Sequence, residues 1–187
     1  MNIVTTTIND LSEVDFDDLY ERSRDAIDVN WPADSSLTGE ERKAKIIEII
    51  TSGINNEWPG LNAHSPNDEY FMAKSVDTDT NKVMALVCGY IIDGDTHDGR
   101  HSLAAADENG SRNWLYSEQT RASQNQYQRD NGITKLLFRN IPTNSVMHKI
   151  IKRRANAGDY EVIEETLGFG EGFTNIKEGR FPSPFYR

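Results

Sequence analysis

Residues 83–92 read Val-Met-Ala-Leu-Val-Cys-Gly-Tyr-Ile-Ile, and from Met84 to Tyr90 odd and even positions are equally apolar. Strand side chains alternate between faces, so a strand of this kind has to be covered on both and belongs at the centre of a sheet. The preceding run, Glu69 to Val76, is rich in aromatic and β-branched residues. The polar Asp77-Thr78-Asp79-Thr80-Asn81 joins it to Lys82 to Asp93 as a hairpin. Cys88, the single cysteine, falls inside the apolar run, where a thiol packs as a small core residue and holds little thiolate. One cysteine permits no disulfide within the monomer, which suits a reducing compartment and predicts a cytoplasmic location.

The other elements follow from periodicity and punctuation. Asn2 to Ile8 is rich in β-branched residues and predicts a strand. From Leu11 the apolar positions Val14, Leu19, Ala26 and Ile27 predict a first helix to about Asp28, ended by Trp31 and Pro32. Thr38 with Glu41 three residues on is a capping box, and the broad stripe Ala44, Ile46, Ile47, Ile49, Ile50, Ile54 continues it as a helix from Gly39 to Asn55. Gly94 to Gly99 reads as a loop leading to a short strand, His101 to Ala106. Ser111 to Asn131 has neither Pro nor Gly and stops at Gly132, which predicts a third helix. Ile133 to Ile141 reads as a strand closed by Pro142. Asn144 or Ser145 then opens a helix to Ala157, with Val146, Met147, Ile150 and Ile151 inward and Lys149, Lys152, Arg153 and Arg154 outward. Two strands, Tyr160 to Thr166 and Gly172 to Lys177, complete the order.

The 187 residues suit one domain over 1–180 with an irregular tail, 181–187, and show no internal repeat. The formal charge of −10 is uneven: residues 1–100 hold 20 Asp and Glu against 8 Lys and Arg, residues 101–187 hold 10 against 12. An acidic surface repels phosphate backbones, so nucleic acid is not an expected partner, and an anionic ligand belongs in the C-terminal half. With no basic-then-apolar leader and no apolar run long enough for a bilayer, neither secretion nor membrane spanning is expected.

Several chemistries lack their residues. There is no Gly-x-x-x-x-Gly-Lys-(Ser/Thr), His-Glu-x-x-His or Gly-x-Ser-x-Gly, which argues against nucleotide hydrolysis, zincin proteolysis and α/β-hydrolase chemistry. Asp93, Asp95, His97, Asp98 and His101 form the densest cluster of metal-ligand types. An EF-hand loop would need Gly at the place of Asp98 and Glu at the place of Ala104, so a solvated loop without metal is expected.

Strand, helix, helix, hairpin, strand, helix, strand, helix, strand, strand resembles the order of the GNAT acetyltransferases over nearly the whole chain. The resemblance implies an α/β (α+β) fold: a mixed, mainly antiparallel central sheet flanked by about four helices. It also implies acetyl-coenzyme A as cofactor, its pyrophosphate held by a loop of pattern (Arg/Gln)-x-x-Gly-x-(Gly/Ala). The corresponding segment is Asp107-Glu108-Asn109-Gly110-Ser111-Arg112, in which Gly110, Ser111 and Arg112 would bind the cofactor. A second register, Arg129-Asp130-Asn131-Gly132-Ile133-Thr134, would put Pro142 inside the next helix, so the first is preferred. Asn144 matches the family's Asn after the fifth strand. Ile151 stands where its acidic Tyr would be, leaving His148 as the candidate acid, with Asp107 and Glu108 as candidate bases. The basic face of Lys149, Lys152, Arg153 and Arg154 would suit the adenosine phosphate of coenzyme A. Trp31-Pro32 and Trp58-Pro59-Gly60 flank the region that lines the acceptor pocket in this family.

Two functions remain open on this reading. One is N-acetyl transfer to a small cationic amine or a protein amine by direct attack on the thioester. The other is a non-catalytic GNAT-like structural or interaction protein working through a protein partner or as a homodimer. Some bacteriophage virion proteins resemble this second type.

Overall fold

The computed structural model describes residues 1–30, 36–55, 69–142, 146–165 and 173–180. The elements are β1 (Ile3–Ile8), α1 (Phe16–Asn30), α2 (Gly39–Ile54), β2 (Glu69–Asp77), β3 (Lys82–Ile92), β4 (Thr96–Ala104), α3 (Glu118–Asp130), β5 (Lys135–Pro142), α4 (Val146–Asn156), β6 (Glu161–Glu165) and β7 (Phe173–Arg180). The strands form one sheet in the order β1-β2-β3-β4-β5-β7-β6, antiparallel throughout except for the parallel pair β4–β5.

The hairpin stands where the sequence puts it. Asp77 collects the backbone amides of Asn2 and Asp79 and the hydroxyl of Thr80, and Asn81 takes φ +56, a conformation Asn tolerates. Strand β3 lies inside the sheet, and its alternate residues serve two layers. Leu86 and Cys88 join Leu19 and Tyr20 of α1 and Ile46 and Ile50 of α2, whereas Ala85 packs with Trp114, Leu115 and Ile150. Cys88 has no exposure, and burial pushes its thiol up to about 12.

Three expected elements change. The first helix is broken into a short 3-10 turn, Leu11–Glu13, and α1. Asp10 caps the turn in a capping box, Val14 is extended and buried, and the Asp15 carboxylate accepts the Asp18 amide at the start of α1. The third helix begins at Glu118, with Ser117 as its cap. Before it, a 3-10 turn at Asn113–Tyr116 turns Trp114 and Leu115 into the core, and the Trp114 indole donates to Ala105 O at 3.0 Å. Strand β4 begins at Thr96, five residues earlier than expected. Asp93 (φ +54) and Gly94 (φ +77) complete the turn by themselves, and Thr96 already registers with Ile92. Asn144, Ser145, both Trp-Pro segments and the 181–187 tail lie outside the described residues.

Asp95 knots the two halves of the sheet together. Its carbonyl accepts the amides of Thr134 at 2.9 Å and Lys135 at 3.3 Å. Its carboxylate takes the hydroxyls of Thr96 and Thr134 and lies 3.7 Å from the Lys135 ammonium. Burial opposes the charged carboxylate, but these hydrogen bonds and the lysine outweigh it and hold the group below its ordinary range. Replacing Asp95 with Ala is expected to cost about 2 kcal/mol, the scale of charge-assisted hydrogen bonds, read from the urea midpoint.

Gly89 is required for a different reason. A Cβ there would stand 2.0 Å from Asp98 O, a backbone atom that cannot swing away. Gly89→Ala is expected to destabilise by roughly 2 to 3 kcal/mol through forced displacement of β4, whereas Gly99→Ala, whose Cβ would have 3.8 Å to Val87, should be far milder in the same measurement.

Candidate functional site

Strands β4 and β5 run parallel and make a fork. They register only from Thr96 with Lys135 to Asp98 with Leu137, although β4 continues to Ala104 and β5 to Pro142. Beyond the junction each follows its antiparallel neighbour, β3 or β7. Crevices outside the carboxyl ends of parallel strands are where open α/β sheets receive ligands. The junction is followed by a bulge: His101 faces Cys88 and Gly99 faces Gly89, so Arg100 is left out of the β3 register.

The loop after β4 gathers Asp107, Glu108, Gly110, Ser111 and Arg112, but it is closed on itself. The Asp107 carboxylate accepts the amides of Asn109 and Ser111, both at 2.9 Å, and its carbonyl accepts the amide of Gly110 at 2.9 Å. The Asp107 amide in turn donates to Ser111 O at 2.7 Å. Arg112 turns inward onto α1, its guanidinium donating to Ala104 O at 2.7 Å, to Arg22 O at 3.3 Å and to both oxygens of Asp25. Those hydrogen bonds hold the Asp25 carboxyl below its ordinary range. Of the three amides expected to face a pyrophosphate, that of Ser111 is therefore spent on the Asp107 carboxylate and that of Gly110 on the Asp107 carbonyl, and Arg112 serves to fasten the loop. Glu108 is exposed.

On α4 the expected outward row divides. Lys149, Lys152, Arg153 and Asn156 line a groove of about 380 Å³, completed across the gap by Asn113 and Tyr116. The Arg153 guanidinium carbon lies 4.6 Å from the centre of the Tyr116 ring, a cation–π distance. Arg154 is drawn inward instead, donating to Asp159 at 3.0 Å, to Gln124 and to Asn125. Arg121 of α3 forms a second, bidentate pair with Asp159. Burial opposes the Asp159 charge, and the two arginines more than offset it. Met147, expected inward, is exposed, and His148 is half-buried on α4 one turn before Lys152.

The cluster Asp93 to His101 is dispersed by its own strand. His97 and Asp98 lie inside β4, 7% and 1% exposed, and as consecutive strand residues they point to opposite faces. Among the described residues no three His, Cys, Asp or Glu side chains converge as a metal site would need. The sequence reading placed both residues in a solvated loop, because the surrounding Gly and Asp are turn formers. The available signal was the glycine at 89, which lets β4 approach β3.

His97 is held between Phe71, at 3.6 Å between ring centres, and Tyr127 at 6.4 Å, and its Nε2 has no hydrogen-bond partner among the described residues. Burial pushes its pKa down to about 3. The unfolded chain takes up this proton near 6.5 and the folded one does not. The contribution is therefore intact above pH 6.5 and is lost progressively as pH falls toward 3. Comparing urea midpoints at pH 7 and 5, the native protein is expected to lose more stability than His97→Leu.

The fold is similar to that of solved GNAT acetyltransferases. Among solved structures, the chain is similar to ribosomal-protein-S5-alanine acetyltransferase from Vibrio fischeri, at TM-score 0.53 and 12% identity over 98% of this chain and 95% of the other. It is likewise similar to AAC(6')-Ib, solved in complex with ribostamycin and coenzyme A, at TM-score 0.55 and 12% identity over 100% and 97% of the two chains. Aminoglycoside 6'-acetyltransferase type Ii gives TM-score 0.51 and 11% identity over 95% and 96%. No protein-family model and no curated protein matches the sequence. Among the described residues no helix is long and apolar enough to cross a membrane.

Proposed function

We propose that this chain is an acyl-coenzyme A-dependent N-acyltransferase that acylates an amine by direct attack on a thioester. The observation that carries the reading is the fork, where two parallel strands pair over three residues each and then part. Acetyl-coenzyme A, the cofactor this fork would suit, supplies an activated acyl group. Just past the junction, the bulge leaves Arg100 out of the β3 register, and its backbone amide is our candidate donor to the developing oxyanion, the kind of preorganised donor that lowers acyl-transfer barriers. Glu108, exposed after β4, is the base, acting directly or through water. Asp107 is less suited, since its carboxylate already accepts two amides. His148 on α4 is the candidate acid for the leaving thiolate. The net charge of −12 on residues 1–100 favours a cationic amine, on a small molecule or a protein. A cytoplasmic location fits a chain with one buried thiol.

One observation favours a second reading, a non-catalytic GNAT-like protein that works by contacts with a partner or a second copy, as in a bacteriophage particle. The Asp107 carboxylate fills the place an incoming phosphate would take on the loop.

The two readings separate by calorimetry with acetyl-coenzyme A, followed by thiol release in the presence of polyamines and aminoglycosides. A saturable heat is expected, and Glu108→Gln should lower the turnover about 100-fold, the scale of a lost general base, with little change in KM. Absence of any saturable heat with the unmodified protein would put the contact reading in first place.

A further inference from the structure

Resting on the acyl-coenzyme A reading, we propose that this chain grips the phosphates of its ligand in the groove of Lys149, Lys152 and Arg153, and not on the backbone amides of the 110–112 loop.

The loop is unsuited to the task on three counts. The Gly110 amide donates to Asp107 O and the Ser111 amide to the Asp107 carboxylate. A phosphate approaching there would have to displace a fixed carboxylate while meeting its charge. The cation of the loop, Arg112, is committed to Asp25 and to the carbonyls of Ala104 and Arg22.

The groove supplies what the loop lacks. Lys149, Lys152 and Arg153 are spaced by three and four residues, which puts them on one face of α4. Asn113 and Asn156 add neutral donors, and no carboxylate is among the described lining residues. In a chain of net charge −10 such a lining is a local reversal of the field. Arg153 is positioned by the Tyr116 ring, an interaction that fixes the guanidinium without neutralising it. The helix dipole explains cations in the last turn, where Arg153 and Arg154 lie, but not Lys149 in the first half of α4. Arg154 is spent on Asp159, so fold stability accounts for that cation.

The groove also stands where the reading needs it. One wall is the turn that follows β4 and the other is the helix that follows β5, so it lies between the connections that leave the two arms of the fork. The ligand class is an organic phosphate with two or more phosphoryl groups, as at the nucleotide end of coenzyme A.

The test is calorimetry of the full chain with two probes, acetyl-coenzyme A and ADP, on the native protein, on Lys149→Gln/Lys152→Gln, on Arg153→Gln and on Gly110→Val. Thermal melts serve to show that each variant is folded. Both probes are expected to bind the native protein, to weaken at least tenfold in the two groove variants and to change less than twofold in Gly110→Val. Binding of ADP that is lost in the groove variants, without binding of acetyl-coenzyme A, would uphold the groove and remove the acyltransferase reading. Binding of acetyl-coenzyme A that survives the groove variants but not Gly110→Val would overturn the groove and keep the acyltransferase reading. No binding of either probe would overturn the proposal.

Discussion

The parallel contact between β4 and β5 carries two antiparallel sheets on three registered residue pairs, Thr96, His97 and Asp98 with Lys135, Leu136 and Leu137. So short a seam would be weak by itself, and the structure reinforces it from outside. Asp95 ties the entry of β4 to Thr134 and Lys135, the entry of β5. On the helical layer above, Asp159 joins Arg121 of α3 to Arg154 of α4, so the helix from one side of the fork is pinned to the helix from the other. The strands are thus fastened at one end and free to diverge at the other.

What stands beside the opening is decided by how the chain spends its charges. Arg112 and Arg154 are both drawn into the framework, the first fastening the loop after β4 to α1, the second completing the Asp159 cluster. Asp107 is spent in the same way, folding its loop around its own carboxylate. On the walls of the groove stand Lys149, Lys152 and Arg153, with Tyr116 across the gap. Identical residue types in one short segment therefore play opposite parts, and only their neighbours in space distinguish Arg153 from Arg154.

Much of the fold was legible because local and global signals agreed. The double-sided run Met84 to Tyr90, the Thr38/Glu41 capping box and the Asp77 to Asn81 turn each name one structure, and the molecule adopts it. Legibility failed where a residue of a polar type had a buried role. His97 and Asp98 looked like loop residues because Gly and Asp surround them, yet β4 carries them into the core where Gly89 lets its backbone close in. The single helix expected from Ser111 split because Trp114 and Leu115 had to reach the core before the amphipathic stretch began.

The candidate site shows the same division more sharply. By itself the sequence determined a central hairpin, four helices, an acidic N-terminal half and a basic C-terminal helix, since periodicity, capping and charge are properties of neighbours along the chain. It also brought Asp107 and Gly110 to Arg112 into one loop after the fourth strand. Only the tertiary structure decided that this loop closes on Asp107, that Arg112 and Arg154 face inward, and that Tyr116 meets Arg153 across a groove. These outcomes rest on hydrogen bonds and packing between residues as far apart as Asp25 and Arg112, and the geometry of such contacts exists only once the sheet has brought its connections together.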